Sequence, residues 1–576
     1  MTDQAIPMPS TSSTSSTCST SSTPSRLDLG LAAPGRRGFI VGGTAMLAAL
    51  GLSPDAVAGS GGSAGSAGSS GPPGSSGKGD HHHPKGAPNT RLLHRWARDT
   101  WHSMDAMTDP RTGLPADNIP ESLAARDRSG FTSPTNIGGY LWSTVVAREL
   151  GIISKKECTA RLTRTLRTLL RMEHHEASGM FFNWYDEATG DTLRIWPEDG
   201  KPVEPFVSSV DSGWLGAALL VVKNADRKAG PLAAKLFDRM RWDAFYNPGD
   251  GAGGHPTVRT GGLMHGGFFP FADGRLGGTY VGTHIGGDPV WLTKHHYDTI
   301  VSETRITSYL GILTGQVPGR HYYAPWRTLP ATCDWSWHEM QPVGETRTYL
   351  GIDVYEGAYT YRDMHIVPGW GGSMFEELMP AVFVPEEKWA PRSWGVNHPL
   401  HVRAEREHGL EEAGYGYWGF SPSSNPDGGY REYGVDALGI NPEGYFSDQQ
   451  MTNLDLGFGD CRKATNPDPT YGDGVVTPHA SFLAMMFEPR QATANLARIE
   501  KDLGAYGDGG FFDAVAVRSG TIARRYLSLD QAMVMGVLGN VLGKDVLRRA
   551  FSTKRVEKAL RPVIGIERFG AGTIDS

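Results

Sequence analysis

The sequence lacks the signs of several common protein classes. Its 576 residues carry a formal net charge of −7 and show no basic stripe, so nucleic acid is not an expected partner. Cysteine is scarce: Cys18, Cys158, Cys333 and Cys461 are the only four. Cys18 precedes the expected export signal, and the three that would remain are odd in number and widely spaced, unlike a disulfide framework. No CxxC pair suggests zinc or redox chemistry. The pairs His174-His175 and His295-His296 are adjacent, not four apart as helical zinc ligands are, and His81, His82 and His83 lie in a polar tract. No metal site and no cofactor are expected. Gly249, Gly251 and Gly254 have GxGxxG spacing but no strand–turn–helix context. There is no fixed-period repeat and no convincing series of alternating strands.

What is present begins with a tripartite N-terminus. Residues 1–34 are rich in Ser and Thr and are not expected to fold. Arg36 and Arg37 then precede a mild apolar segment ending at Leu52, and Ala56-Val57-Ala58 offers a small-residue cleavage site. Residues 1–58 thus read as a disordered N-terminus with a twin-arginine signal peptide, and a secreted, extracellular protein is expected. The apolar segment falls short of the roughly 20 residues that a membrane span needs. Residues 59–90 are Gly/Ser-rich and read as a linker.

The globular part is expected over 91–572. Apolar spacing predicts helices over 91–107, 134–150, 154–174, 208–223, 232–245, 297–313, 372–383, 401–413, 478–487, 491–503, 527–542 and 545–551. Long Gly/Pro/aromatic segments at 246–294, 317–370 and 414–476 separate them. About a dozen helices joined by alternating short and elaborate loops predict an all-α fold, an α/α toroid with functional loops at one mouth.

The central stretch is Trp370–Pro380, which places Glu376 and Glu377 among Met374, Phe375, Leu378 and Met379. Burial in such company raises a carboxyl pKa, as a general acid requires. Consecutive helical residues diverge by about 100°, so the two acids cannot face one pocket. Asp211 is the expected partner, in the first turn of the helix after Ser208; the Ser208–Asp211 spacing equally fits a capping box. Tyr297, Glu303 and Arg305 form a polar cluster open to two readings, substrate contact or internal ion pairing. Tyr415, Trp418, Tyr430, Arg431 and Glu432 lie in a segment too Gly-rich for a helix and too aromatic for a solvated loop. With Trp370, they read as a sugar-binding wall, aromatic loop packing being the other reading.

Several motifs occur together in order. They are Tyr297-Asp298-Thr299-Ile300-Val301-Ser302-Glu303-Thr304-Arg305 with Gly315 and Val317-Pro318, Ser373–Pro380, Trp418-Gly419-Phe420-Ser421, Thr477–Ser481 with Asn495-Leu496-Ala497, and Gly510–Ala514. Over roughly residues 130–550 the chain resembles the glucoamylase-like domain of endo-β-1,2-glucanases and of the transglycosylating part of cyclic β-1,2-glucan synthases. The resemblance implies an (α/α)6 toroid, action on β-linked glucans and Glu376 as the acid. Ser208 stands where the glucanases carry an additional Asp, and Asp211 replaces a Glu. Those departures leave the partner carboxylate, substrate and stereochemistry open, since the synthases retain configuration and the glucanases invert. The expected function is an exported, monomeric endo-β-1,2-glucanase acting on a poly- or oligosaccharide, with Glu376 as acid and Asp211 as base through water. A retaining transglycosylase and a non-catalytic glycan-binding protein on the same fold are the alternatives.

Overall fold

The computed structural model describes residues 90–249, 260–270, 280–440 and 445–574. The N-terminal signal, the linker with His81–His83, and Gly251 and Gly254 lie outside the described residues. Fourteen α-helices are present among those described: α1 (Thr90–Met107), α2 (Pro134–Glu149), α3 (Lys155–Leu169), α4 (Ser209–Ala225), α5 (Gly230–Asp238), α6 (Arg305–Thr314), α7 (Met374–Leu378), α8 (Glu386–Trp389), α9 (Trp394–Glu407), α10 (Pro478–Ala484), α11 (Pro489–Leu503), α12 (Ser528–Leu542), α13 (Val546–Phe551) and α14 (Lys554–Ile564). None is long and apolar enough to cross a membrane.

Sequence pattern sorts these helices by depth. Every residue from Pro134 to Ala147 in α2, from Ser209 to Val222 in α4 and from Ser528 to Asn540 in α12 is buried. Such all-round burial marks helices enclosed by others. By contrast α14 buries only Val556, Leu560 and Ile564, a single stripe at four-residue spacing. α2 packs against α4 and α12, α4 against α6, and α10 against α7 and α12. Trp142 Nε1 of α2 donates to the Ala532 carbonyl of α12 at 2.8 Å, and Thr307 Oγ1 of α6 to the Ser209 carbonyl of α4 at 2.8 Å. The amphipathic helices lie behind: α1 on α12, α3 on α2, α5 on α4, α14 on α6, α9 on α7 and α11 on α10.

Strands are more numerous than the sequence suggests, because most span two or three residues and carry no alternating pattern. The longest sheet is antiparallel, in the order Val207–Ser208, Gly267–Phe269, Asp288–Thr293, Tyr280–Ile285, and it feeds directly into α4. The helix expected over 297–313 begins only at Arg305. His296 and Tyr297 pair instead with His265 and Met264, and the Asp298 carbonyl and Ile300 N–H bond the backbone of Trp326. Residues 297–304 therefore lie outside the helix. Cys333 and Cys461 form a disulfide with Cα atoms 5.4 Å apart, which corrects the expectation of an unbridged chain. The pairing joins two long loops whose proximity is tertiary, and Cys158 stays free and buried.

Candidate active site

Helix α7 is only five residues long because Pro380 follows it, and its start is fixed by a reciprocal capping box. Ser373 Oγ accepts from Glu376 N–H at 3.3 Å, and Glu376 Oε2 accepts from Ser373 N–H at 3.1 Å. Oε2 also accepts from Ser373 Oγ at 3.1 Å and Gly371 N–H at 3.2 Å. The preceding glycines permit this cradle. Gly372 has φ +68° and lies where a Cβ would come within 2.1 Å of the Val435 carbonyl oxygen. A Cβ on Gly371 would lie 2.1 Å from the Tyr445 ring. Burial pushes the Glu376 carboxyl up to about 7, against the downward pull of those Ser373 and Gly371 hydrogen bonds.

Glu377 points the other way, into the protein. It accepts from His398 Nδ1 at 2.5 Å and from Asn397 Nδ2 at 3.2 Å. Burial pushes its pKa up, but the His398 charge and hydrogen bond prevail and hold it below the ordinary range. Arg305 lies on the same hidden side. Its Nε and Nη2 donate to both oxygens of Glu386 at 2.8 and 2.9 Å, and Nη1 and Nη2 donate to the main-chain carbonyls of Glu376 and Glu377 at 2.8 and 2.5 Å. Its guanidinium lies 4.3 Å from the centroid of the Trp394 ring. Arg305 is thus an internal clamp with its donors engaged: of the two readings open for it, internal ion pairing holds and substrate contact does not.

Two residues before that clamp, Glu303 is half-buried and faces Glu376 electrostatically. Burial, and then the Glu376 charge, push its pKa up to about 8. Tyr297, also half-buried, feels both Glu303 and Asp211 after its own desolvation. Tyr445 is raised by burial and then by Glu376, Glu432 and Glu303. These influences gather Asp211, Tyr297, Glu303, Glu376, Glu432 and Tyr445 around one region. Trp370, Tyr430, Arg431 and Glu432 keep partial exposure, as a groove wall needs. Burial raises Glu432, and Arg431 Nη1 reaches the Gln449 carbonyl at 3.4 Å. Trp418 and Tyr415 do not join this wall: they are 2% and 6% exposed and pack into the core, Tyr415 against Phe420 and Tyr471. Aromatic loop packing wins at these two positions.

Asp211 is fully buried, at 0% exposure. The Ser208 cap forms, with Ser208 Oγ accepting from Asp211 N–H at 3.2 Å. The carboxylate is held from α2, where Thr135 Oγ1 donates to Oδ1 at 2.5 Å. With its amide oriented to satisfy its neighbours, Asn183 donates to Oδ2 at 2.7 Å.

A second buried acidic group stands at the starts of α10 and α12. His479, Asp513 and Asp530 bring ligand-capable atoms within 4.8 Å of one another. Asp513 accepts from Ser424 N–H at 2.6 Å and His479 Nδ1 bonds Thr477 Oγ1 at 2.8 Å. Burial, then the neighbouring carboxylate, keeps Asp513 protonated well above the ordinary range, while burial lifts Asp530 to about 7. A proton shared between the two acids accounts for their closeness; the same donor set could hold a small divalent cation. Sequence spacing could not reveal this group, since its members lie 34 and 17 residues apart. Tyr445 was likewise missed, having no motif around it.

Residues 295–555 match the Glycoamylase family. Its description is "Putative glucoamylase". Residues 95–258 match a second family, DUF3131, described as a protein of unknown function. The cyclic beta-(1,2)-glucan synthase NdvB of Rhizobium meliloti is 25% identical over 594 residues, covering 81% of this chain; the chain spans only 18% of that relative's length. Among solved structures, a "putative glucoamylase" from Bacteroides uniformis superposes with a TM-score of 0.57 at 16% identity, covering 85% of this chain and 99% of its own. The endo-beta-1,2-glucanase from Chitinophaga pinensis, solved with sophorotriose and glucose, gives 0.54 at 15% identity, covering 83% and 99%. The resemblance read from the motifs is therefore present in sequence and in fold.

Proposed function

We propose that the chain is a glycoside hydrolase that cleaves a β-linked glucan, most closely an endo-β-1,2-glucanase. The observation that carries this reading is the Glu303–Glu376 pair. One carboxyl is half-buried and holds its proton to about 8, and its neighbour, cradled by backbone N–H groups, ionises near 7. Pairs of carboxyls whose environments separate their pKa values divide acid and base roles between them. Glu303 gives its proton to the departing glycosidic oxygen. Glu376, as carboxylate, serves the anomeric carbon, directly or by activating water. Trp370, Tyr297, Tyr430, Arg431 and Glu432 supply ring stacking and hydroxyl contacts.

The assignment expected from sequence, Glu376 as acid and Asp211 as base, is the second reading. In its favour, Asp211 contributes with Glu303 to the charge environment of Tyr297. Against it stands the engagement of both Asp211 carboxylate oxygens, by Thr135 at 2.5 Å and Asn183 at 2.7 Å. The scaffold in this proposal is the (α/α)6 toroid: α2, α4, α6, α7, α10 and α12 form the inner ring, closed between α6 and α7 by the Arg305 clamp. Residues 91–572 are the catalytic domain of a secreted monomer exported by the twin-arginine route.

The test is incubation with linear β-1,2-glucan and a panel of other β- and α-glucans, with products read for linkage and anomeric configuration. Cleavage of β-1,2-glucan is expected, and Glu303→Gln and Glu376→Gln should each abolish it without unfolding the protein. A strong loss in Asp211→Asn with a near-normal Glu303→Gln would move the acid–base pair to Glu376 and Asp211. Transfer products in place of hydrolysis would identify a transglycosylase, and binding without turnover of any glycan would overturn the enzyme reading.

A further inference from the structure

Far from the carboxyl cluster, the surface carries a concentration of positive charge that a neutral glucan does not need. A groove of about 1370 Å³ runs along α3 and past the end of α4. Lys155, Lys156, Arg164, Arg167, Arg227 and Lys228 line it. All six are exposed, and no ion pair or side-chain hydrogen bond engages their charged heads among the described residues. The helical phase of α3 creates the stripe: residues 156, 160, 163, 164 and 167 fall on one face. A linear reading of the sequence does not show it, because the residues between these positions interrupt the run; Glu157, at the edge of the stripe, is paired with Arg161 at 2.8 Å.

The one acid in the groove does not neutralise it. Asp226 is buried, and its carboxylate is already engaged by Thr159 Oγ1 at 2.7 Å and the N–H groups of Lys228 and Ala229 at 2.9 Å each. Six unpaired cations on a chain of net charge −7 form a local field of opposite sign to the whole molecule. Such a field attracts an anion and orients it to this face. The groove begins where α4 ends, and Asp211 sits in the first turn of α4. Helix rise places the two about 20 Å apart, so the groove is separate from the carboxyl cluster.

We infer that this groove is an attachment site for an anionic polysaccharide. An elongated groove with spaced cations suits a polymer over a single small anion. Its lining contains no aromatic side chain, so it lacks the stacking platform used for single-stranded nucleic acid. It is concave and lacks the apolar face with which interfacial helices enter a membrane. The attachment holds the protein on a charged matrix while the opposite end of α4 remains open to substrate.

The experiment measures retardation of the intact protein in gels containing polygalacturonate or dextran sulfate, with neutral dextran as control. Retardation by at least one of the anionic polymers is expected at 50 mM NaCl, and loss of it at 500 mM, where screening is strong. The quadruple variant Lys155→Glu/Lys156→Glu/Arg164→Glu/Arg167→Glu should bind at least tenfold more weakly. These positions are solvent-exposed and distant from the carboxyls, so its far-UV spectrum and any glucan cleavage should match the parent. Failure of both polymers to bind, or equal binding by the variant, would overturn the proposal. So would tighter binding to a 40-nucleotide single-stranded DNA or to anionic phosphatidylglycerol vesicles than to either polysaccharide. None of these readouts depends on the hydrolase assignment.

Discussion

At the scale of single residues, the molecule turns on where protons rest. In the proposed mechanism Glu303 must be protonated to act as acid and Glu376 ionised to act as its partner. The rate should therefore follow a narrow bell with limbs near 7 and 8. A kcat/KM profile over pH 5–10 checks it, and a plateau extending down to pH 5 would remove Glu376 from the base role. The Glu303→Gln variant tests the same electrostatics through stability. Unfolded, this carboxyl releases its proton near 4.5; folded, it keeps it to about 8. Between those values the native state binds more protons than the unfolded chain, so the contribution of Glu303 to stability falls as pH rises. Gln stays neutral throughout. Glu303→Gln should match the parent below pH 4.5 and exceed it at pH 8 by on the order of 1–3 kcal/mol. Thermal unfolding at the two pH values measures this.

At the scale of elements, α7 is too short to hold its own orientation. Five residues make little more than one turn, and isolated helices of that length are unstable. Its position comes from outside: the Ser373 box at its start and Arg305 across its carbonyls. His398 adds a third tie, standing between Glu377 and Glu386, which raise its pKa against the effect of burial. Arg305 also lies two residues after Glu303, so one side chain couples the placement of both proposed catalytic carboxyls. Arg305→Met would leave Glu386 in the interior without its guanidinium partner, held only by Tyr309 Oη at 2.5 Å and His398 Nε2 at 3.3 Å. A loss of about 3–5 kcal/mol is expected, read by urea denaturation, with Arg305→Lys recovering part of it. An unchanged midpoint in Arg305→Met would show that the clamp contributes nothing.

At the scale of the whole molecule, a long-range tie holds two of the elaborate loops to each other. The Cys333–Cys461 disulfide closes a segment with a sequence separation of 128. Replacing both cysteines by serine should cost about 2–4 kcal/mol through the added freedom of the unfolded chain. The measurement is a lowered unfolding temperature, with the same shift produced in the parent by reductant. No shift in either would show that the bridge adds no stability.

The sequence alone determined a good deal, for local physical reasons. Apolar periodicity located α1, α2, α4, α11 and α12 to within a few residues, because each has a long, consistent pattern. The divergence of Glu376 from Glu377 followed from helix geometry, and the Ser208 cap from spacing. Tertiary structure decided what depends on contacts between distant segments. Burial took Trp418 and Tyr415 out of the expected groove, since aromatic side chains gain more from packing than a loop composition can reveal. Pairing with residues 263–265 and 326 deprived 297–304 of its helix and left Glu303 at the edge of the site. The same folding brought Glu303 against Glu376, and Asp513 against Asp530. Carboxyls distant in sequence acquire their function-setting pKa values only when the fold removes water from around them and places one charge beside another.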